Sequence, residues 1–425
     1  MKKNILYLLL VCGLAACTPE RAEFINFMYL EGFVDSLYPE SAFHPYEAVL
    51  VDLDKGLPPT PSLPGVSENE TVHPDSSGSV RHASSLPAAS IVQSILGTTQ
   101  AKKTWQIAGI YGSVDQNGDS IVLSGKVVLP EKGPIRNIVV VSHYTIGANY
   151  EAPSQSFPFE GIFAGHGYAV IVPDYIGFGI TSHLPHPYMA TELTAQNVVD
   201  MYRAVLPYLQ AINKLPEDSA IYLSGYSQGG ATSLAVQYYL ETNYPDVKII
   251  RNFCGGGPYD LAATYDKWIA EDFTGYSPAV PMIIQGMNVA ERLNLDYKIF
   301  FKQNLLDSYD QVINSKKYTV AQQAQLIGTN RPSEIVTEEC RDKRTNDSFK
   351  LYRAFMRNSI AYQWQPQAPV YMFHSMDDDV VPYENAIKAR EQFYFCNVEY
   401  NFGHYGPHQF GYLTFLGIVN NFLKK

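Results

Sequence analysis

Charged side chains are scarce in this sequence, and no stretch of it gathers them into a basic run. They account for 17% of the 425 residues, and the formal net charge is −11. Binding of nucleic acid normally requires a cationic face, so we expect no nucleic-acid partner. An apolar fraction of 46% also excludes disorder of the chain as a whole.

An apolar run long enough to span a membrane is lacking as well. The run at residues 5–11 follows two lysines and has the length of a signal-peptide core. It leads to a Leu-Ala-Ala-Cys motif ending at Cys17, which resembles the bacterial lipobox. We therefore predict a signal peptide over residues 1–16, a lipidated Cys17, and an exported lipoprotein anchored to a membrane on its periplasmic or cell-surface side. The alternative is an ordinary secretory signal.

Cysteines are too few and too scattered for a disulfide framework or a zinc site. Once Cys12 is removed with the signal peptide and Cys17 is lipidated, Cys254, Cys340 and Cys396 remain. We interpret these three as buried free thiols, and the alternative of one disulfide among them stays open.

The segment 17–100 differs in composition from the rest of the chain. Its first part is rich in aromatic residues with weak periodicity, and residues 56–87 are rich in Pro, Ser and Gly. Such a composition offers little to bury in a core of its own. We therefore predict an N-terminal tether or wrapping arm.

Short apolar runs alternate with helix-forming stretches after residue 100. An Asn-Gly pair within 115–119 predicts a hairpin turn, and this is favoured over a calcium loop because the bidentate Glu that such a loop needs is missing. The predicted strands are 105–114, 120–129, 138–142, 168–173, 220–224, 249–254, 370–374 and 398–402, and the predicted helices are 192–212, 228–244, 385–395 and 409–423. This alternation predicts an α/β fold with a mostly parallel central sheet flanked by helices.

One interval interrupts the alternation of strands and helices. Residues 265–367 are mainly helix-forming and too numerous for a loop. We predict that they form a helical cap inserted over the edge of the sheet where sites in open α/β sheets lie. The core domain is then made of residues 101–264 and 368–425.

A Gly-x-Ser-x-Gly motif occupies residues 225–229, between a predicted strand and a predicted helix. In that setting the chain turns sharply and holds the serine hydroxyl out at the top of the sheet, and glycines avoid collisions with neighbouring backbone. The motif therefore predicts a nucleophile at Ser227. Its architecture requires an acid and then a histidine later in the chain.

The acid should follow a later strand, and the histidine should follow the last one. Asp377, Asp378 and Asp379 come together after the strand at 370–374. Both His404 and His408 come after the last predicted strand. We prefer His408, because the loop is long enough to fold back only by that residue, and His404 stays the alternative.

An oxyanion intermediate needs two preorganised amide donors. Gln228 supplies one by following the nucleophile, and our candidate for the other is the Thr145 amide in the loop after the third predicted strand. His143 in the same loop is badly placed for a base, so we expect it to brace the loop. His183 and His186 lack a third ligand nearby, which predicts a loop rather than a metal site.

From about residue 105 to its end, the chain resembles an α/β-hydrolase of the secretory lipase type. The segments that carry the resemblance are Ser-His-Tyr-Thr-Ile-Gly at 142–147, Ala-Pro-Ser at 152–154, Val-Pro-Asp-Tyr-Ile-Gly-Phe-Gly at 172–179, Gly-Tyr-Ser-Gln-Gly-Gly at 225–230 and Gly-Gly-Gly-Pro-Tyr-Asp-Leu at 255–261. Such proteins commonly place the acid four residues before the Pro of an Asp-x-Val-Val-Pro stretch, which implies Asp378. They place the histidine just before the closing helix, which implies His408. Tyr144 departs from the pattern, since such proteins often have Gly there.

The resemblance implies hydrolysis of a small-molecule, lipid or glycan ester by a Ser-Asp-His triad, through an acyl-enzyme and without cofactor or metal. The same triad also fits a serine peptidase on this fold or a glycan acyl esterase. A non-catalytic surface-binding lipoprotein is the alternative from another class. The sequence carries no indication of an oligomeric state.

Overall fold

Strands and helices alternate along the chain from residue 103 onward, as the sequence predicts. The computed structural model describes residues 25–26, 42–53, 103–216, 220–342, 345–393 and 397–425. The predicted signal peptide, Cys17, Cys396 and most of the predicted arm lie outside these residues. Cys254 and Cys340 are buried free thiols, as predicted.

The strands in the described residues belong to one sheet. In chain order they are β1 Ile25–Asn26, β2 His44–Asp52, β3 Lys103–Val114, β4 Ser120–Pro130, β5 Ile138–Ser142, β6 Ala169–Pro173, β7 Ile221–Tyr226, β8 Ile249–Gly255, β9 Val370–Ser375 and β10 Val398–Gly403. Their order across the sheet is β1-β2-β3-β4-β6-β5-β7-β8-β9-β10. The ladders from β1 through β4 to β6 are antiparallel, and those from β6 to β10 are parallel.

Helices connect and cover the parallel strands. They are α1 Thr191–Ala211, α2 Gln228–Asn243, α3 Leu261–Glu271, α4 Ala279–Ala290, α5 Tyr297–Phe300, α6 Gln303–Leu306, α7 Val320–Ile327, α8 Pro332–Ile335, α9 Asn346–Arg357, α10 Glu384–Gln392 and α11 His408–Leu423. Short 3₁₀ segments lie at Asn149–Glu151, Phe159–His166, Gly179–Thr181, Glu338–Cys340 and Ile360–Tyr362, and a π-helical segment lies at Asp310–Asn314. These elements confirm the predicted α/β fold.

The core lies on both faces of the sheet because successive side chains of a strand point to opposite faces. In β5, Ile138 and Val140 pack with α1, α2 and the helices that follow β8, whereas Val139 and Val141 pack with α11 and the segment Phe159–His166. All five residues of β5 are buried. A strand covered on both faces must be apolar at every position, which is why its sequence reads Ile-Val-Val-Val-Ser.

Residues 42–53 belong to the segment 17–100, predicted as a tether or wrapping arm, and they lie on the sheet. They contain β2, which pairs antiparallel with β3 along most of its length. The side chains of Phe43 and Ala48 are buried in the core beside it. This part of the segment therefore finds its apolar partners in the hydrolase-like body rather than in a core of its own.

The chain between β8 and β9 is mainly helical and contains α3 to α9. This agrees with the helix-forming composition of residues 265–367, and the boundaries of the cap stay a prediction. Among the residues described, no helix is both long and apolar enough to cross a bilayer.

Candidate active site

Ser227 occupies a sharp turn between the end of β7 and the start of α2. Its backbone angles are φ 58° and ψ −125°, a conformation that non-glycine residues rarely adopt. A Cβ atom on Gly225 would overlap the carbonyl of Gly229, and one on Gly229 would overlap the carbonyl of Ser142. Both glycines of the motif are therefore required by close backbone contacts.

Asp378 lies on the loop after β9, and His408 lies at the start of α11. The two side chains form a direct pair. His408 Nδ1 lies 2.6 Å from Asp378 Oδ2, and the side chains are 15% and 0% exposed. The amides of Val380 and Val381 donate to Asp378 Oδ1 over 3.0 and 2.7 Å. The carboxylate is thus fixed from both sides, one oxygen by backbone and the other by the ring.

The surroundings of Asp378 favour its charged form. Burial by itself raises the pKa of this carboxyl, but the charge and hydrogen bond of His408, the charge of His374 and the Val381 amide outweigh it, so the pKa lies below the ordinary value. His374 is fully buried, and its Nε2 lies 3.0 Å from the Val381 carbonyl and 3.6 Å from Asp378 Oδ2. Sequence reasoning did not single out this histidine.

The two other carboxylates of the run also contact the histidine loop. Asp377 Oδ1 lies 2.7 Å from His404 Nδ1, on side chains that are 41% and 73% exposed. Asp379 Oδ1 accepts the backbone amide of His408 over 3.0 Å. Asp377 and Asp379 are therefore exposed residues that nevertheless bind the loop carrying both histidines.

An apolar cavity of about 620 Å³ opens beside Ser227 and His408. Side chains from α3, α4 and α7 form much of its wall, among them Leu261, Trp268 and Ile283. Asp379 also lines the cavity, but Asp377 and His404 do not. The structure therefore brings Ser227, His408 and Asp378 to one place and leaves His404 on the surface.

The two residues predicted to supply the oxyanion donors are Thr145 and Gln228. Thr145 lines the cavity directly, and Gln228 is the residue after Ser227 at the N-terminus of α2. Within the described residues, neither amide donates a hydrogen bond to a protein acceptor. Two free donors beside a serine are the arrangement that an oxyanion requires.

Comparison with known proteins identifies the family. The family model described as secretory lipase matches residues 163–404, which is more than half of the chain. The chain belongs to the secretory lipase family. The match includes Ser227 and Asp378 and ends before His408.

Two fungal proteins illustrate the sequence similarity within the secretory lipases. The secreted triacylglycerol lipase LIP5 of Malassezia furfur is 26% identical over 235 residues, which are 53% of this chain and 56% of that protein. Lipase 6 of Candida albicans is 22% identical over 234 residues, 52% of this chain and 47% of that one. The chain thus spans about half the length of the curated relatives it matches.

Solved structures share the α/β-hydrolase fold with this secretory lipase family member. The rice cell wall degrading esterase LipA from Xanthomonas oryzae superposes with a TM-score of 0.67 at 20% identity, covering 78% of this chain and 92% of that chain. Lipase A of Candida antarctica superposes with a TM-score of 0.55 at 18% identity, covering 74% of both chains.

Several side chains around the site have roles that the sequence did not indicate. His186, predicted only as a loop residue, is buried with its Nε2 3.0 Å from Gln228 Nε2. Tyr188 is buried with its hydroxyl 2.9 Å from Thr145 Oγ1. Tyr144, where secretory lipases often have Gly, lines the cavity and packs edge-on against Tyr412.

His143, which the sequence predicts as a brace for its own loop, supports the loop that carries Thr145. His143 is stacked on Tyr175 at 3.9 Å, and its Nδ1 donates to the Tyr144 carbonyl over 2.6 Å. Burial lowers the pKa of His143 to about 4. Within the described ranges, no three His, Cys, Asp or Glu side chains gather in a way that could hold a metal ion.

Proposed function

We propose that this protein hydrolyses carboxylic esters with Ser227 as nucleophile, His408 as base and Asp378 as the orienting acid. The observation that carries the proposal is the shared cavity. Ser227, in its strained turn, and His408 both line it, and the Nδ1 atom of His408 is bound by the buried carboxylate of Asp378. A serine is a weak nucleophile until a positioned base takes its proton.

The tautomer of His408 follows from its partner. A carboxylate can only accept, so Nδ1 carries the proton that binds Asp378, and Nε2 is left as the acceptor in the neutral ring. Nε2 takes the proton of the Ser227 hydroxyl as its oxygen attacks the ester carbonyl, and Asp378 stabilises the resulting imidazolium. The carbonyl oxygen becomes an oxyanion, which receives hydrogen bonds from the Thr145 and Gln228 amides.

Collapse of the tetrahedral intermediate breaks the bond to the leaving alcohol. His408 returns its proton to the alcohol oxygen, and the acyl group stays on Ser227. Water then attacks the acyl-enzyme while His408 again acts as base, which releases the carboxylic acid and restores the serine. No cofactor enters this sequence of steps.

The cavity favours a neutral ester with an apolar group. Its wall is largely apolar. Among the described residues that line it, Asp379 carries a carboxylate and none is a Lys or Arg. We propose that the cap predicted at 265–367 shapes this pocket, because α4 and α7 supply part of its wall. Similarity to two proteins named as secreted triacylglycerol lipases supports a lipid ester as substrate.

The Ser227→Ala variant tests the proposal. We expect it to lose turnover of short p-nitrophenyl esters, and to lose labelling by a fluorophosphonate probe, while its melting temperature stays close to that of the wild type. Undiminished ester hydrolysis in this variant would refute the proposal.

A substrate panel distinguishes the ester hydrolase from its alternatives. We expect acyl esters to be cleaved, and aminoacyl naphthylamides, which report peptidase activity, to resist. Release of acetate from acetylated glycans at rates above those for acyl esters would instead favour a glycan acyl esterase.

We also propose that the protein is exported and anchored through a lipid on Cys17. The lipobox-like motif at that residue and the secretory family support this proposal. Cys17→Ser should move the protein from the membrane fraction to the soluble fraction, whereas Cys12→Ser should leave it in the membrane fraction. Equal partition of the two variants would contradict anchoring at Cys17.

A further inference from the structure

We infer that the segment from His186 to Tyr188 positions both residues that supply the oxyanion donors, Thr145 and Gln228. The inference rests on the proposed function, since it concerns the same hydrolytic site. His186 and Tyr188 do not act on the substrate in this scheme; they are positioning residues that hold the side chains of the two donor residues.

His186 holds the side chain of Gln228 through a ring nitrogen with a defined role. Its Nδ1 donates to the Ile176 carbonyl over 2.7 Å, so its Nε2 must accept in the neutral ring. The Nε2 of Gln228 donates to it over 3.0 Å. Burial, together with the charge of Lys316, lowers the pKa of His186 to about 3, so the ring stays neutral and keeps accepting at the pH values at which esterases are assayed.

Tyr188 holds the side chain of Thr145 on the other half of the site. Its hydroxyl lies 2.9 Å from Thr145 Oγ1, and both side chains are buried and line the same cavity. Because Thr145 is β-branched, fixing its hydroxyl also restricts χ1 and the backbone that carries its amide. An oxyanion donor is effective only if it is oriented before charge develops.

The segment itself is held by local backbone hydrogen bonds and by a close contact with α4. The Tyr188 amide donates to the His186 carbonyl over 2.8 Å, and the Ala190 amide donates to the Pro187 carbonyl over 3.0 Å. A Cβ on Gly286 in α4 would overlap the backbone of Tyr188, so this helix lies directly against the segment. The helix that helps to form the cavity wall therefore also supports the oxyanion donors.

A double-mutant cycle tests the hydrogen bond between Tyr188 and Thr145. Tyr188→Phe and Thr145→Val each remove one hydroxyl, and neither removes the Thr145 amide. We expect each to lower kcat about tenfold, less than the loss of an entire oxyanion donor, with KM changed by less than about twofold. The double variant should be no slower than the slower single variant, because both changes break the same contact.

Two further readouts separate positioning from a general loss of structure. Thr145→Ser keeps the hydroxyl and should retain nearly wild-type kcat. A boronic acid inhibitor, which forms a tetrahedral adduct on the serine, should bind more weakly to Tyr188→Phe and to Thr145→Val by the same factor as the loss in kcat.

Gln228→Met tests the contact with His186. It removes the side-chain donor to His186 while keeping the backbone amide of Gln228, and it should lower kcat and the affinity for the boronic acid by the same factor.

The matched control is Tyr265→Phe. Tyr265 is a buried tyrosine of α3 whose hydroxyl donates to the Cys340 carbonyl over 3.1 Å and which does not line the cavity. We expect this variant to lose stability without losing kcat. An equal fall in kcat in Tyr265→Phe, multiplicative effects of the Tyr188 and Thr145 changes, or an unchanged kcat in Tyr188→Phe would overturn the inference. Retained hydrolysis in Ser227→Ala would instead overturn the proposed function itself.

Discussion

Two histidine–aspartate pairs stand side by side in this protein, at almost the same distance. His404 Nδ1 lies 2.7 Å from Asp377, and His408 Nδ1 lies 2.6 Å from Asp378. The first pair is 73% and 41% exposed, whereas the second is 15% and 0% exposed. Hydrogen-bond length alone therefore does not distinguish the proposed catalytic pair from the exposed one.

What separates the pairs is their surroundings. Asp378 is buried, receives two backbone amides and lies beside a second buried histidine, whereas Asp377 is 41% exposed and receives one longer backbone hydrogen bond, from Gly406 over 3.3 Å. Charge interactions are strong where water is excluded and weak where it screens them. The buried pair therefore has the surroundings that orienting a ring and stabilising its charge require, and this is why we propose it as the catalytic one.

The strongest test of this contrast exchanges each histidine for alanine. We expect His408→Ala to lower kcat by about 10⁶-fold, as loss of the base in a serine triad does, and His404→Ala to stay within about twofold of wild type. Turnover of a short p-nitrophenyl ester measures both. Comparable losses in the two variants would show that the assignment of the base is wrong.

A second test exchanges each aspartate for asparagine. Asp378→Asn should lower kcat about 10³- to 10⁴-fold, because an amide no longer fixes the tautomer and no longer stabilises the imidazolium. Asp377→Asn serves as the matched variant on the exposed pair, and its kcat should be almost unchanged. If the Asp377 variant were the slower one, the exposed pair would have to be the catalytic one.

A smaller effect is expected at Asp379, which holds the backbone of His408 rather than its ring. Asp379→Ala removes the acceptor of the His408 amide at an exposed position where water can replace it. We expect kcat/KM to fall about threefold, in line with the modest net value of a single hydrogen bond. A loss as large as that of the Asp378 variant would mean that this carboxylate contributes to the chemistry.

The smallest expected effect concerns stability at acid pH. The pKa of Asp378 is lowered in the folded protein, so its contribution to stability is present above the unfolded value of about 3.9 and is lost as the pH falls through the lower folded value. Urea unfolding at pH 6 and at pH 3 should show that wild type loses more stability than Asp378→Asn over this range. Equal losses would indicate that the carboxyl is not stabilised in its charged form.

Most of the fold and the position of the nucleophile could be predicted because their signals are local. The parallel strands are continuous apolar runs, and the turn at Ser227 carries its glycines in the sequence. The choice between His404 and His408 depends on register: β10 pairs Gly403 with Ser375, so His404 leaves the sheet next to Asp377, and the chain must turn back before His408 meets Asp378.

The supporting residues could not be predicted because their partners are distant along the chain. His186 contacts a residue 42 positions away, and Tyr188 contacts one 43 positions away. Strand β2 was missed for a related reason: its apolar residues are too few for a core of their own, and they are buried against strands that begin about fifty residues later.

Strand β2 also has a mechanical consequence. It is joined to β3 by a long antiparallel ladder near one end of the sheet, while β9 and β10, which carry the acid and histidine loops, lie at the other end. Under the anchoring proposed at Cys17, the anchor would lie on the N-terminal side of β2, so the β2–β3 ladder would be the part of the described sheet that first carries tension from it. The loops that carry the proposed acid and base would then be separated from that tension by the width of the sheet.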